Sequence, residues 1–391
     1  MLDSESNAIL LDFGAYFDAF PADTEIDWPT FYAWTRTTRR ATLSPADRII
    51  YEDSISKIEK VAKPDEKLAS RFVELDYAGQ IGGIVDSILE GRTGATLDQV
   101  GVLLTEYSGV ASPHKVEVVS SDLGELVAGI VKGGGVEWRL EDLNKSVGPL
   151  NKGDFVLVGK RPEVGGTSFV CSEITHMVSQ LPAGQNAIIF NNEEVGRKVA
   201  VRLYEAALGE NIMSLATDTA KHQAAYVAAL KGHKIDVIHK PGMDVGFVES
   251  ILRRGNYGII VFNMLAKIGG FHKLEGQDRL EALGGWARAL ADKYGVVFAV
   301  HQADNTAEGM EYLDQSQLYG SKTALQGESD VQLMIGKSHN PTKADCRYLS
   351  VVRNKLPGGP RTDPKLKYLR SEVGFDWETG RFTSLSFKGK K

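Results

Sequence analysis

Between Gly153 and Cys171 the sequence reads GDFVLVGKRPEVGGTSFVC. An apolar run over residues 155–158, a Pro/Gly turn, and Thr167-Ser168 at the head of a helix together make an anion site. Backbone N–H groups converge there, and the helix dipole favours negative charge. The pattern that usually does this is G-x-x-x-x-G-K-[ST], whose lysine reaches the β- and γ-phosphates and whose hydroxyl meets Mg²⁺. Here Gly165 and Thr167 hold their places, Gly166 stands where the lysine is expected, and Lys160 occupies the first-glycine position. Lys160 either swings into the loop in place of the missing lysine or points to solvent. Its six-residue separation and unfixed rotamer favour solvent.

Three further segments carry chemistry at strand ends. Residues 187–190 run into Asn191, Asn192, Glu193 and Glu194, and a carboxylate just past a strand can orient and deprotonate an attacking water. Residues 259–262 deliver Asn263, where nucleotide hydrolases place an aspartate. Residues 296–300 end in His301-Gln302, and a glutamine there can sense a terminal phosphate. Taken singly, each reads as a satisfied loop residue. Four of them at successive strand ends, in the order such a core needs, argue for a site.

The elements that must position these groups follow from the pattern. From Gly153 onward strand and helix signals alternate, which implies an α/β, largely parallel sheet covered on both faces. Residues 278–294 form a helix with Leu280, Leu283, Ala287, Leu290 and Tyr294 on one face, and two or three strands follow Arg347, the last pair turning near Glu378-Thr379-Gly380. Residues 1–108 read as a helical N-terminal domain: Trp28, Phe31 and Trp34 have core-facing helical spacing, and Ser44-Pro45 is an N-cap with a first-turn proline. Residues 109–136 read as a linker. It carries a helix from about Asp122 to Lys132 with a single apolar stripe that needs a partner, on this chain or another. Residues 137–391 form the sheet domain.

Composition narrows the rest. The chain has 391 residues, 42% hydrophobic and 25% charged, with a net charge of −6. That suits a globular protein of two domains and excludes a surface coated in basic residues. Cys171 and Cys346 are the two cysteines, so neither a disulfide framework nor a Cys-rich zinc module is available. The apolar stretches are too short to cross a membrane and the start lacks a signal pattern, so a cytoplasmic location is expected. From Lys343 to Lys391 there are 12 Lys/Arg against 5 Asp/Glu, a solvated tail or a nucleic-acid contact.

These segments resemble the RecA-like motor domain of DnaB-type replicative helicases, especially the phage branch. The resemblance is carried by RLEDLNKSVGPLNKGDFVLVGKRPEVGGTSF, IIFNNEE, IIVFNMLAKI, VHQAD, GSKTALQGESDVQLMIGK and RNKLPGG, within residues 138–391. The helical first third and the linker helix match that family by layout. The resemblance implies ATP or another nucleoside triphosphate with Mg²⁺, single-stranded DNA, a homo-oligomeric ring of six, a possible primase partner, and the host cytoplasm if phage-encoded. It places Glu193 as catalytic base and Gln302 as γ-phosphate sensor. It puts Arg353 and Lys355 as residues inserted into a neighbouring subunit's site. Lys160, Arg161, Gly165, Gly166, Thr167, Ser168 and Asn263 fall around the nucleotide, with Thr167 on Mg²⁺ and Asn263 reaching it through water. Ser321, Lys322 and Thr323 fall in the loop that tracks DNA.

Three departures bear on activity: Gly166, Asn263, and Lys355 where arginine is commoner. Losing the lysine contact costs about 1.5–3 kcal/mol in binding, and losing one preorganised donor costs about 10²–10³ in rate. One cation and one anion are replaced together, so the expected charge of the site is roughly conserved. Two functions follow: an active ring helicase, or a non-hydrolysing relative that binds single-stranded DNA or serves assembly. A filament-forming recombinase is disfavoured by the linker helix and the GSKTALQGESD segment.

Overall fold

The computed structural model describes residues 4–21, 23, 25–60, 66–92, 94–111, 122–124, 135–272, 274–320 and 324–385. The chain divides into two compact units, residues 1–119 and 120–391. Most of the expected linker helix, the DNA-loop residues Ser321, Lys322 and Thr323, and the basic end of the chain lie outside the described residues.

The first unit is helical: α1 (Ser4–Ala19), α2 (Trp28–Trp34), α3 (Pro45–Glu59), α4 (Glu66–Leu89) and α5 (Leu97–Ala111). Phe31 is fully buried with Ile9, Tyr16 and Ile55, and Trp28 and Trp34 pack against them. The three-residue spacing of those aromatics is therefore a core signal. Ser44 caps α3 by accepting from the Asp47 N–H at 3.2 Å, with Pro45 at the first helical position. The buried Asp12 carboxylate is compensated by Arg39, Arg40 and the Tyr51 hydroxyl.

The second unit is a nine-stranded sheet in the order β3-β2-β4-β5-β1-β6-β7-β8-β9. The strands are β1 (Phe155–Lys160), β2 (Asn186–Asn191), β3 (Ile235–His239), β4 (Tyr257–Asn263), β5 (Val296–Gln302), β6 (Val331–Gly336), β7 (Cys346–Asn354), β8 (Arg370–Phe375) and β9 (Phe382–Ser384). Pairing from β3 through β6 is parallel, and from β6 to β9 antiparallel. Helix α6 (Glu141–Ser146) precedes β1, and α7 (Gly166–Met177), α8 (Gly196–Leu208), α9 (Ile212–Thr217), α10 (Thr219–Ala229), α11 (Val245–Leu252), α12 (Gly276–Lys293) and α13 (Ala324–Glu328) connect the strands. This is the expected largely parallel α/β core.

β1 is buried along its whole length because it lies in mid-sheet with both faces covered, which is why it reads as an unbroken apolar run. Alternate residues serve opposite cores: Val156 and Val158 join Phe169, Ile189 and Phe298, whereas Phe155 and Leu157 join Phe190, Phe262 and Leu290. α8 buries Val199, Leu203 and Ala206, and Gly209 ends it with a left-handed φ of 71°. The sequence reading missed β3 and β6 as strands.

Parallel pairing brings the C-terminal ends of β1, β2, β4 and β5 to one edge. The register sets Lys160 beside Gln302 and Asn191 beside Asn263. Residues far apart in sequence are thus neighbours before any side chain is considered.

Candidate functional site

The turn after β1 ends at Gly165, which adopts φ 95° as the N-cap of α7. Only glycine takes that conformation without strain. No side chain caps the helix, so its first-turn N–H groups are left for an anion. Thr167 sits in that first turn, and its hydroxyl accepts from Asn263 Nδ2 at 3.4 Å.

Lys160 is 5% exposed, so the expectation that it points to solvent is corrected. Its stem passes over Gly166, where an added Cβ would stand 2.6 Å from Lys160 Cγ. Its Nζ donates to Glu193 Oε1 at 3.4 Å. The space left by the absent side chain at 166 is the space the lysine uses. Lys160 therefore supplies a cation beside Gly166, while Asn263 is neutral.

Asn263 ends β4 almost fully buried. Its Nδ2 donates to Asn191 Oδ1 at 3.1 Å as well as to Thr167, and its Oδ1 has no partner among the described residues. Asn192 brackets the next residue, accepting from the Met264 N–H at 2.8 Å and donating to its carbonyl at 3.2 Å. Glu194 turns away to Arg202, leaving Glu193 as the carboxylate that faces the glycine turn. Gln302 stands next to Lys160 on β5. Its neighbour His301 is buried and donates from Nε2 to the Tyr319 carbonyl at 2.8 Å, and desolvation holds its imidazole pKa below the ordinary histidine value.

Arg161 is turned out of this cluster. It pairs with Glu308 at 2.7 Å and donates to the Ala303 carbonyl. With Glu163, Lys337 and His339 it lines a polar cavity of about 390 Å³ beside the turn. Lys160, Thr167 and Glu193 do not line that cavity, so it adjoins the anion cradle without being it.

One supporting residue escaped the sequence reading. Arg347 on β7 is fully buried, with Nε donating to the Val164 carbonyl at 2.7 Å and Nη1 to the carbonyls of Ala344 and Cys346. Its guanidinium lies over Phe375 at 4.3 Å and near Trp377 at 4.8 Å. It ties the glycine turn to the antiparallel half of the sheet. A lone arginine inside the apolar CRYLSVV run was the available signal.

No protein-family model matches the sequence, and no curated protein matches it. Solved structures do. A DnaB-like replicative helicase, determined with its interactions with primase, aligns over 80% of this chain and 77% of its own, with a TM-score of 0.55 and 15% identity. A second solved structure, an isolated ATPase domain, aligns over 74% of this chain and 99% of its own, with a TM-score of 0.51 and 16% identity. The chain has the DnaB-type helicase fold.

Within that DnaB-type fold, two expected site residues lie apart from the turn. Arg353 pairs in register with Gln332 near the start of β6, and the Lys355 N–H donates to the Asp330 carbonyl. β6 begins beside Val156, near the opposite end of β1 from Lys160. Arg353 Nε donates to the Ser329 carbonyl at 3.1 Å, and Lys355 Nζ to the Gly327 carbonyl at 2.9 Å, so both satisfy the end of α13. Burial, then the neighbouring Arg353, holds the Lys355 ammonium below the ordinary lysine range. One chain therefore does not bring these cations to its own Gly165 turn. Among the described residues no helix is long and apolar enough to cross a membrane.

Proposed function

We propose that this chain is a subunit of a DnaB-like ring helicase that binds a nucleoside triphosphate at the Gly165 turn and couples it to single-stranded DNA. The observation that carries the reading is the facing of Glu193 and Lys160 at 3.4 Å across the mouth of an uncapped helix N-terminus. Glu193 is then the base that takes the proton of an attacking water, and Gln302 senses the terminal phosphate from the adjacent strand. Thr167 and the first-turn N–H groups hold phosphate oxygens.

Mg²⁺ belongs to this reading. The residues present fit it modestly: the Thr167 hydroxyl supplies one ligand, and the unpartnered Asn263 Oδ1 is a neutral acceptor able to hold its water. Bound there, the ion would neutralise charge on the phosphates. Asn263 holds that water less strongly than a carboxylate, which also favours a slow enzyme.

The distance of Arg353 and Lys355 from their own turn supports a site completed by a neighbouring copy, hence a ring, with six as the proposed number. Single-stranded DNA in the central channel at Ser321 to Thr323, a primase partner and a cytoplasmic location, the host's if phage-encoded, complete the proposal. A second reading, a non-hydrolysing DNA-binding or assembly protein, is favoured by the neutral Asn263 alone.

DNA-stimulated ATPase of the purified chain separates the two. Turnover that rises with single-stranded DNA and is lost in Glu193→Gln, by about 10²–10⁴-fold, supports the helicase. Salt-sensitive DNA binding without turnover supports the second reading.

A further inference from the structure

We infer that Lys160 is the phosphate-binding lysine of this chain, relocated from the turn to the end of β1. Its ammonium is held in reserve by Glu193. This rests on the nucleotide reading above and deepens it.

Three observations converge. First, Gly166 is the first residue of α7 with no left-handed φ, so nothing in its conformation requires glycine, and helix propensity there favours alanine by up to about 1 kcal/mol. What requires it is the neighbour: an added Cβ would meet Lys160 Cγ at 2.6 Å and Cδ and Cε at 3.1 Å. Cγ is one bond from the Cβ of a residue paired on both sides in the sheet, so clearing it takes a change of the whole Lys160 rotamer and not a movement of its tip alone.

Second, Lys160 is nineteen-twentieths buried, and its Nζ has one hydrogen-bond partner among the described residues, Glu193 at the long distance of 3.4 Å. An ammonium carries three donors. A buried cation with donors to spare beside a helix N-terminus is costly alone and is satisfied by an anion with several oxygens. Third, the adjacent Asn263 Oδ1 is buried with no partner among the described residues; it is an acceptor, so it suits the water of a cation that accompanies the phosphates and not the anion itself. The triphosphate tail of a nucleotide is the anion class that meets a helix N-terminus and a lysine together.

The pairing with Glu193 follows electrostatically. Among the described residues the Glu193 carboxylate is the anion that Lys160 meets. An arriving γ-phosphate competes for the same Nζ, and its gain frees Glu193 to accept a proton. Substrate arrival and release of the base are then one event.

The test is equilibrium binding of a non-hydrolysable ATP analogue and of AMP to the full chain, with Lys160→Met, Gly166→Lys, the exchange variant Lys160→Ala/Gly166→Lys, and Glu193→Gln. Methionine keeps the stem over Gly166 and removes the charge. Lys160→Met should weaken the triphosphate analogue by about 10- to 150-fold and leave AMP unchanged. Gly166→Lys alone should also weaken it, because the new stem meets the old one, and the exchange variant should recover affinity by about tenfold or more over either single change. Glu193→Gln should tighten the analogue by about 3- to 10-fold by removing the competitor.

If wild type binds the analogue and Lys160→Met binds it equally, the relocation is overturned while the nucleotide reading stands. If Glu193→Gln binds equally or more weakly than wild type, the reserve role is overturned. If wild type binds no triphosphate, both the inference and the nucleotide reading fall. Should Lys160→Met fail to fold, the exchange variant against Gly166→Lys decides the relocation in the same way.

Discussion

Replacing Gly166 by alanine isolates the packing on which the lysine's position depends. At the first helical position the change should stabilise by up to about 1 kcal/mol through helix propensity. In this chain the new Cβ would lie 2.6 Å from Lys160 Cγ, well inside van der Waals contact, and inserting a methyl group into filled space costs about 1–3 kcal/mol. The expected net effect in wild type is therefore destabilisation, from near zero to about 2 kcal/mol. In a Lys160→Ala background the stem is gone and only the propensity gain remains. The sign should reverse, to a stabilisation approaching about 1 kcal/mol. Urea unfolding of wild type, both single variants and the double variant gives the coupling directly as a double-mutant cycle. A coupling of about 1–3 kcal/mol is expected. If Gly166→Ala were equally stabilising in both backgrounds, Lys160 would not occupy the space above Gly166, and the account of the missing lysine would fail.

Two other changes probe the support of the site. Glu173 on α7 is fully buried, and desolvation raises its carboxyl from 4.5 to about 7, with the Arg139 N–H donating to it at 2.7 Å. The unfolded chain releases this proton first, so stability should fall as pH rises from about 4.5 to about 7 and level off above. Glu173→Gln should remove that loss, worth roughly 3 kcal/mol above pH 7, and leave acid-side stability nearly unchanged; thermal melts at pH 4 and pH 8 check both halves. Arg347→Met should destabilise by about 3 kcal/mol or more, since the carbonyls of Val164, Ala344 and Cys346 lose their donor. It should also weaken binding of a triphosphate analogue, and a melt or titration showing neither effect would remove Arg347 from the support of the turn.

The strand-end groups were legible because parallel strands repeat one local grammar: an unbroken apolar run, then polar residues where the sheet stops. Residues 155–158 and 296–300 announce β1 and β5 in that way, and the register then brings Lys160 and Gln302 together. β3 was not legible because IDVIH is only partly buried and mixes charge into its short run. β6 was hidden by Gln332, a fully buried polar residue in an otherwise apolar segment. The direction of Lys160 could not be read either. A lysine rotamer is set by what surrounds it, and here that surrounding is a missing side chain six residues on. Gly166 reads as loss when the turn is viewed as a linear motif and as clearance when the β1 end is viewed in space.

Arg353 and Lys355 both donate to the carbonyls that finish α13, at Gly327 and Ser329. A donor engaged on one acceptor is not available to another without exchange. Any anion on an adjoining molecule that draws these two cations away must strip the cap from the short helix immediately following residues 321–323. Each such bond is worth roughly 1 kcal/mol, cheap enough to trade back and forth with thermal energy and a modest gain elsewhere. Intermolecular engagement and the firmness of that helix end are therefore bound to vary inversely.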